Sequence, residues 1–116
     1  MKKSKILSLV GLATKAGKTV SGEFSTEKAV KSGTAGLVLV SAQASENTKK
    51  KFQNMCIYYK VPVYIYGEKE ELGQACGKEF RASLAVTDAG LSEAIKKELS
   101  NCLEQDGALC NTDERR

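Results

Sequence analysis

Two kinds of apolar pattern take turns along the 116-residue chain. Ile6, Leu7, Leu9, Val10 and Ala13 form a stripe of helical period, with Ser4 placed to cap its start and Gly17 to end it. A short extended piece, Thr19 to Ser21, leads into a second helix from about Gly22 to Lys31, closed by Gly33. In that helix Thr26, Ala29 and Val30 form the inward stripe, while Phe24, Glu27, Lys28 and Lys31 share the opposite one. Leu37-Val38-Leu39-Val40 is a continuous run of strand length, the mark of a strand covered on both faces. Ser45 then caps a third helix in which Phe52, Met55, Cys56 and Tyr59 fall on one stripe, with Lys49, Lys50 and Lys51 off it in solvent. Val61-Pro62 starts a strand through Tyr66 that Gly67 ends. Lys69 to Cys76 forms a short helix stopped by Gly77, and Ser83 to Thr87 a further strand. Asp88 precedes a last helix carrying Leu91, Ala94, Ile95, Leu99 and Leu103.

Helices that alternate with short strands predict an α/β/α sandwich around one small sheet. Residues 1–104 read as a single domain, large enough to bury a core without staples. Residues 105–116, ending in ALCNTDERR, read as a polar, frayed tail. There is no internal repeat, low-complexity tract or linker.

Composition changes this picture little, with 41% hydrophobic and 28% charged residues. The start MKKSKILSLVGLA mimics a signal peptide, but Ser4, Ser8 and Gly11 dilute its apolar region and Lys15 and Lys18 follow at once. It reads as an amphipathic first helix, and the chain as cytoplasmic with no membrane partner. The four cysteines, at 56, 76, 102 and 110, make no C-x-x-C pair, and histidine is absent. The commonest metal ligand and general base are therefore missing, and no metal site or cofactor is expected. Cys56 and Cys76 lie on apolar stripes and read as small buried hydrophobes; Cys102 and Cys110 read as free thiols in a reducing compartment.

Charge is more informative. Eleven lysines face three glutamates in residues 1–60, a balance of +8, whereas residues 61–116 hold seven basic and eleven acidic residues, a balance of −4. The overall +4 thus hides a basic amino-terminal half, which suits a polyanionic partner.

The stretch GLATKAGKT tests whether that anion is a nucleotide, because GKT ends a phosphate-binding loop. Gly11 and Gly17 are separated by five residues where the loop requires four. Such a loop also follows a strand and opens a helix, whereas here a helix precedes GKT and a strand follows it. No strand ends in a metal-binding aspartate either, since Leu37–Val40 runs into Ser41-Ala42-Gln43. Glu68, Glu70 and Glu71 cluster at one helix start, where acidic residues complement the helix dipole. No nucleophile, base and orienting group stand together, so no catalytic residue is expected and the chain is read as a non-enzyme.

The second helix carries the better candidates. Phe24 beside Lys28 and Lys31 on an outer stripe offers aromatic and cationic groups that meet bases and phosphates together. The amides of Ser21, Gly22 and Glu23 lie at the helix start, where the dipole favours a phosphate oxygen. Gly22 lacks a side chain, which admits a nucleic-acid backbone.

The segment GKTVSGEFSTEKAVKSG resembles the RNA-binding segment of the kink-turn-binding ribosomal proteins, the L-seven-Ae superfamily. LVLVSAQASENTKKKF, VPVYIYG and LGQACGKEFRASLAVTD extend the resemblance, in order, over residues 4 to 99. ASENT and the LG-x-A-x-GK-E-x-R run look most like the bacterial YlxQ-like branch. The resemblance implies a three-layer α/β/α fold with a small four-stranded mixed sheet. It also implies a non-catalytic protein that recognises sharply bent, kink-turn-like RNA, ribosomal or otherwise, in a ribosome or translation setting. In such proteins the start of the second helix enters the RNA major groove near tandem sheared G·A pairs, and the loop before the last strand covers a flipped-out nucleotide. Carried over, Lys18, Gly22 and Lys28 match family positions, and Glu79, Phe80, Arg81, Ala82 and Ser83 form the covering loop. The expected RNA-contacting set is Lys18, Ser21, Gly22, Glu23, Phe24, Ser25, Lys28, Lys31, Phe80, Arg81 and Ala82. Phe24 and Ser25 depart from the family's Asn-Glu pair, so another RNA bend, or a protein bound by this module, is the alternative partner.

Overall fold

The computed structural model describes residues 5–106. Five helices and four strands alternate, in the order α1 (Lys5–Lys15), β1 (Thr19–Ser21), α2 (Glu23–Ser32), β2 (Leu37–Val40), α3 (Glu46–Tyr59), β3 (Val63–Ile65), α4 (Lys69–Ala75), β4 (Ser83–Val86) and α5 (Ala89–Asp106). The strands form one mixed sheet of order β1-β4-β2-β3. β4 runs antiparallel to both β1 and β2, and β2 runs parallel to β3.

Alternation along the central strands splits the core in two. Leu37, Leu39, Leu84 and Val86 face Ile6, Val10 and Ala13 of α1, Leu72 of α4, and Ile95 and Leu99 of α5. Val38, Val40 and Ala85 face Ala29 and Val30 of α2 and Phe52 and Cys56 of α3. With α1, α4 and α5 on one face and α2 and α3 on the other, the architecture is the expected three-layer sandwich. The continuous apolar run of β2 is fully buried, because each of its faces meets a helix layer.

Several boundaries differ from the sequence reading. The third strand begins at Val63 rather than Val61, because the Val61 amide donates to Cys56 O in closing α3 and Pro62 has no amide to give. The last strand ends at Val86, although Thr87 N still donates to Lys18 O at 2.8 Å. Tyr59, assigned to the buried stripe of α3, is exposed. The 14-residue α3 spans about 21 Å. Strands of three or four residues cover only about 10–13 Å, so α3 is longer than the sheet it packs on, and Ile57, Tyr58 and Tyr59 of its last turn are exposed. Helix α5 runs to Asp106. Ser4, Cys110 and the segment 107–116 lie outside the described residues, as do the side chains of Cys102 and Leu103.

Around GKT, α1 precedes the turn, Gly17 sits at φ 73 and β1 follows. That order is the reverse of a nucleotide loop. No helix among the described residues is long and apolar enough to cross a membrane.

Candidate nucleic-acid interface

Strand polarity brings the β1–α2 junction and the α4–β4 loop to the same edge of the sheet. Ser21 pairs with Leu84, and the Gly22 amide donates to Ser83 O at 2.9 Å. Gly22 adopts φ 93 and ψ 156, a region open essentially to glycine alone. A Cβ placed there would meet nothing within 4 Å, so the demand comes from the backbone and not from crowding. The open space in front of Gly22 is where a ligand backbone can approach. Gly22 is also the N-cap of α2 and supplies no side-chain bond to the helix's first amides. Since its own amide is taken by Ser83, the anion-ready donors are those of the first turn beyond it. This corrects the expectation that the Gly22 amide itself faces phosphate.

The stripe assignments on α2 hold. Thr26, Ala29 and Val30 are buried, and Phe24 stands 76% exposed on the outer side. Phe80 in the facing loop is 59% exposed, so each of the two segments joined by the Gly22–Ser83 bond carries an exposed aromatic residue.

Arg81 is held in place. Its Nε donates to Ser21 Oγ at 3.0 Å and one terminal nitrogen donates to Phe80 O at 2.8 Å. Its amide donates to Lys69 O, which ties the loop to α4. Ser21 thus orients the guanidinium through its hydroxyl. The nearby Cys76 thiol is pushed up by burial, opposed by hydrogen bonding from Thr14 and by the Arg81 charge. The Ala82 carbonyl accepts from Ser41 N and fastens the loop to the end of β2.

The remaining candidates separate into free and neutralised charges. Among the described residues Lys28 forms no ion pair. Lys31 pairs with Glu27 one turn back, at 2.8 Å. Lys51 of α3 reaches Glu23 at 2.8 Å and Glu27 at 2.9 Å. These contacts hold the Glu27 carboxyl below its usual range, through Lys31 first and Lys51 next, and raise Lys51 through Glu23 and then Glu27. Lys31 is therefore spent within the protein, and Glu23 is masked by a lysine from another helix. Lys51 was missed in the sequence because it lies 28 residues from Glu23. Lys18 is not brought to this edge. Its carbonyl bonds to Thr87 at the far end of β1, about 13 Å of strand from Gly22. Ser25, half-buried in the first turn of α2, adjoins Phe24 at the open edge.

A second missed residue shapes the loop. A Cβ on Gly73 of α4 would come within 2.5 Å of Glu79 O and 2.7 Å of Phe80 N. Only a glycine lets the covering loop lie so close on α4.

No group of three His, Cys, Asp or Glu side chains among the described residues could hold a metal ion. The acidic start of α4 is a capping box, in which the Glu68 and Glu71 side chains close the helix's own amides.

The chain is 44% identical over 87 residues to RNA-binding protein YlxQ of Bacillus subtilis, a match covering 75% of this chain and 87% of that protein. It is 42% identical over 88 residues to large ribosomal subunit protein eL30 of Neurospora crassa, covering 74% and 81%. A structure of a protein with unknown function from Bacillus halodurans C superposes with a TM-score of 0.81 at 39% identity, covering 84% of this chain and 99% of that one. The Giardia lamblia 15.5kD RNA binding protein shares the fold, with a TM-score of 0.71 at 20% identity over 87% and 90% of the two chains. The model of the ribosomal protein L7Ae/L30e/S12e/Gadd45 family matches residues 4–96, and the chain belongs to that family.

Proposed function

We propose that this protein is a non-catalytic, ribosome-associated RNA-binding protein whose open edge at Gly22 receives a sharply bent RNA of the kink-turn kind. The observation that carries the reading is the unobstructed, uncapped start of α2 behind Gly22, bordered by Phe24, Lys28, Phe80 and Arg81. RNA-binding and ribosomal relatives support it. A cytoplasmic setting fits such a role.

In this reading the RNA backbone passes Gly22, where no side chain intervenes, and a phosphate oxygen meets the first-turn amides of α2. Lys28 reaches into the groove from the next turn. Arg81, fixed by Ser21, presents its remaining donors to a phosphate or base edge. Phe24 and Phe80 offer faces for unpaired or flipped bases. The family's Asn-Glu pair is replaced by Phe24 and Ser25, so recognition rests on shape and stacking more than on the edges of G·A pairs.

The exposure of Phe24 and Phe80 also favours a second reading, a protein interface at the same edge. A titration against a kink-turn RNA and a control lacking its G·A pairs separates the two. Tighter binding of the kink-turn supports the proposal, equal binding leaves only general RNA recognition, and no binding to either supports the protein interface. With Lys31 neutralised and Lys18 remote, Lys28 and Arg81 remain as phosphate partners. Log affinity should then fall against log salt with a slope of about −1.8 for two phosphates, where four would give about −3.6.

A further inference from the structure

The exposed last turn of α3 makes a second basic and aromatic surface beyond the Gly22 edge. Ile57 is 67% and Tyr58 77% exposed there, with Tyr59 exposed beside them. The two tyrosine rings meet edge to face with centroids 4.9 Å apart. The chain leaves this turn through Lys60 at φ 61, the one non-glycine residue of positive φ among the described residues. Glycine fills such a helix end without strain. Here the position instead carries a lysine, directly after two tyrosines in the chain.

Charge points to the class of occupant. Residues 47–67 contain Lys49, Lys50, Lys51 and Lys60 and no acidic residue. Neither Lys50 nor Lys60 forms an ion pair among the described residues. A helix C-terminus by itself repels phosphate. The Lys60 amide closes the carbonyl of Ile57 and the Val61 amide that of Cys56, and Lys60 brings a positive charge to this end of the helix.

The surface is continuous with the first site. Lys51 bonds to Glu23 at the start of α2. Lys51 also bonds to Glu27, one turn further along α2, at 2.9 Å. The two helices therefore run side by side. Tyr58 lies about 10 Å along α3 from Lys51, within reach of a strand leaving the Gly22 edge.

Resting on the RNA-binding reading above, we infer that the last turn of α3, with Tyr58, Tyr59 and Lys60, holds a single-stranded extension of the RNA seated at Gly22. An unpaired base stacks on the exposed Tyr58 ring, while Lys60 and Lys50 meet the flanking phosphates. Tyr59, edge-on to Tyr58, fixes the ring that stacks.

The test compares a bent hairpin RNA with and without a single-stranded oligouridine tail. The tail should tighten wild-type binding by about 5- to 10-fold, the lower range for one stacked base. Tyr58→Ala should abolish that gain and leave the tail-less affinity unchanged. Lys60→Gly should raise the melting temperature by relieving the left-handed backbone, yet reduce the gain and lower the tail's contribution to the salt slope by about 0.7. A tail that adds nothing to wild-type binding overturns the inference while the Gly22 site stands. Wild-type protein that binds neither RNA overturns both. A Tyr58→Ala variant that keeps the full gain assigns the surface to a protein contact and overturns the inference, as does one that weakens both RNAs equally.

Discussion

Lys51 Nζ stands 2.8 Å from Glu23 Oε2, so a side chain of α3 covers the carboxylate nearest the open start of α2. An uncovered Glu23 would face any phosphate arriving at Gly22. Lys51→Ala should therefore weaken RNA binding by uncovering that carboxylate. Adding Glu23→Gln and Glu27→Gln should restore much of the affinity. A Lys51→Ala variant with unchanged affinity would show that the pair serves only to join α2 and α3.

Gly22→Ala forces an alanine into φ 93 and ψ 156. The strain should lower stability by about 1–3 kcal/mol, measured by denaturant unfolding. Because the added methyl points into open space, RNA affinity should fall further than the fraction of folded protein explains.

Gly73→Ala sets a methyl group against the backbone of Glu79 and Phe80, which cannot swing aside as a side chain would. Overpacking of this kind costs about 1–3 kcal/mol. Amide chemical shifts of residues 78–82 should move more than those of the sheet, and binding through Arg81 should weaken with them.

Cys56 gives a pH signature. Burial pushes its thiol from an ordinary 9.0 up to about 12. The folded state thus holds the proton more tightly than the unfolded chain. The resulting stability is complete below pH 9 and is lost as pH rises from 9 toward 12. Peptide mapping after treatment with a thiol reagent at pH 8 should find Cys56 unmodified in the folded protein, and Cys56→Ala should lessen the alkaline loss.

Glu27 works in the opposite direction. Its carboxyl is held low by Lys31 and Lys51, so the tie between α2 and α3 is present above the ordinary carboxylate value of 4.5 and is lost as pH falls through the lowered one. Protection of α2 amides from hydrogen exchange, taken relative to the intrinsic rate at each pH, should fall in acid, and Glu27→Gln should remove that dependence.

The parts of the fold visible in the sequence are those written locally. The continuous apolar run of Leu37, Val38, Leu39 and Val40 marked a strand with two covered faces, and Thr26, Ala29 and Val30 marked the buried side of α2. The order of strands was not written locally, since β1 joins the sheet through β4, more than sixty residues later. Lys18 looked close to Gly22 because only three residues separate them, but a strand turns that spacing into distance. Glu27 and Lys31 could be paired from their spacing of four, whereas Lys51 needed the packing of two helices. Gly73 gave no sign at all, because its role depends on which loop returns to lie on it.

Sheet polarity sends β1, β2 and β3 out at one edge, so α2, α3 and α4 all begin there. Ser45 accepts the Thr48 amide and closes α3, and the Glu68–Glu71 pair closes α4. Three positive helix poles are thus gathered on one rim, and two are quenched from within. The address of the candidate site is set by subtraction: α2 is left open because its neighbours have been answered by their own chain.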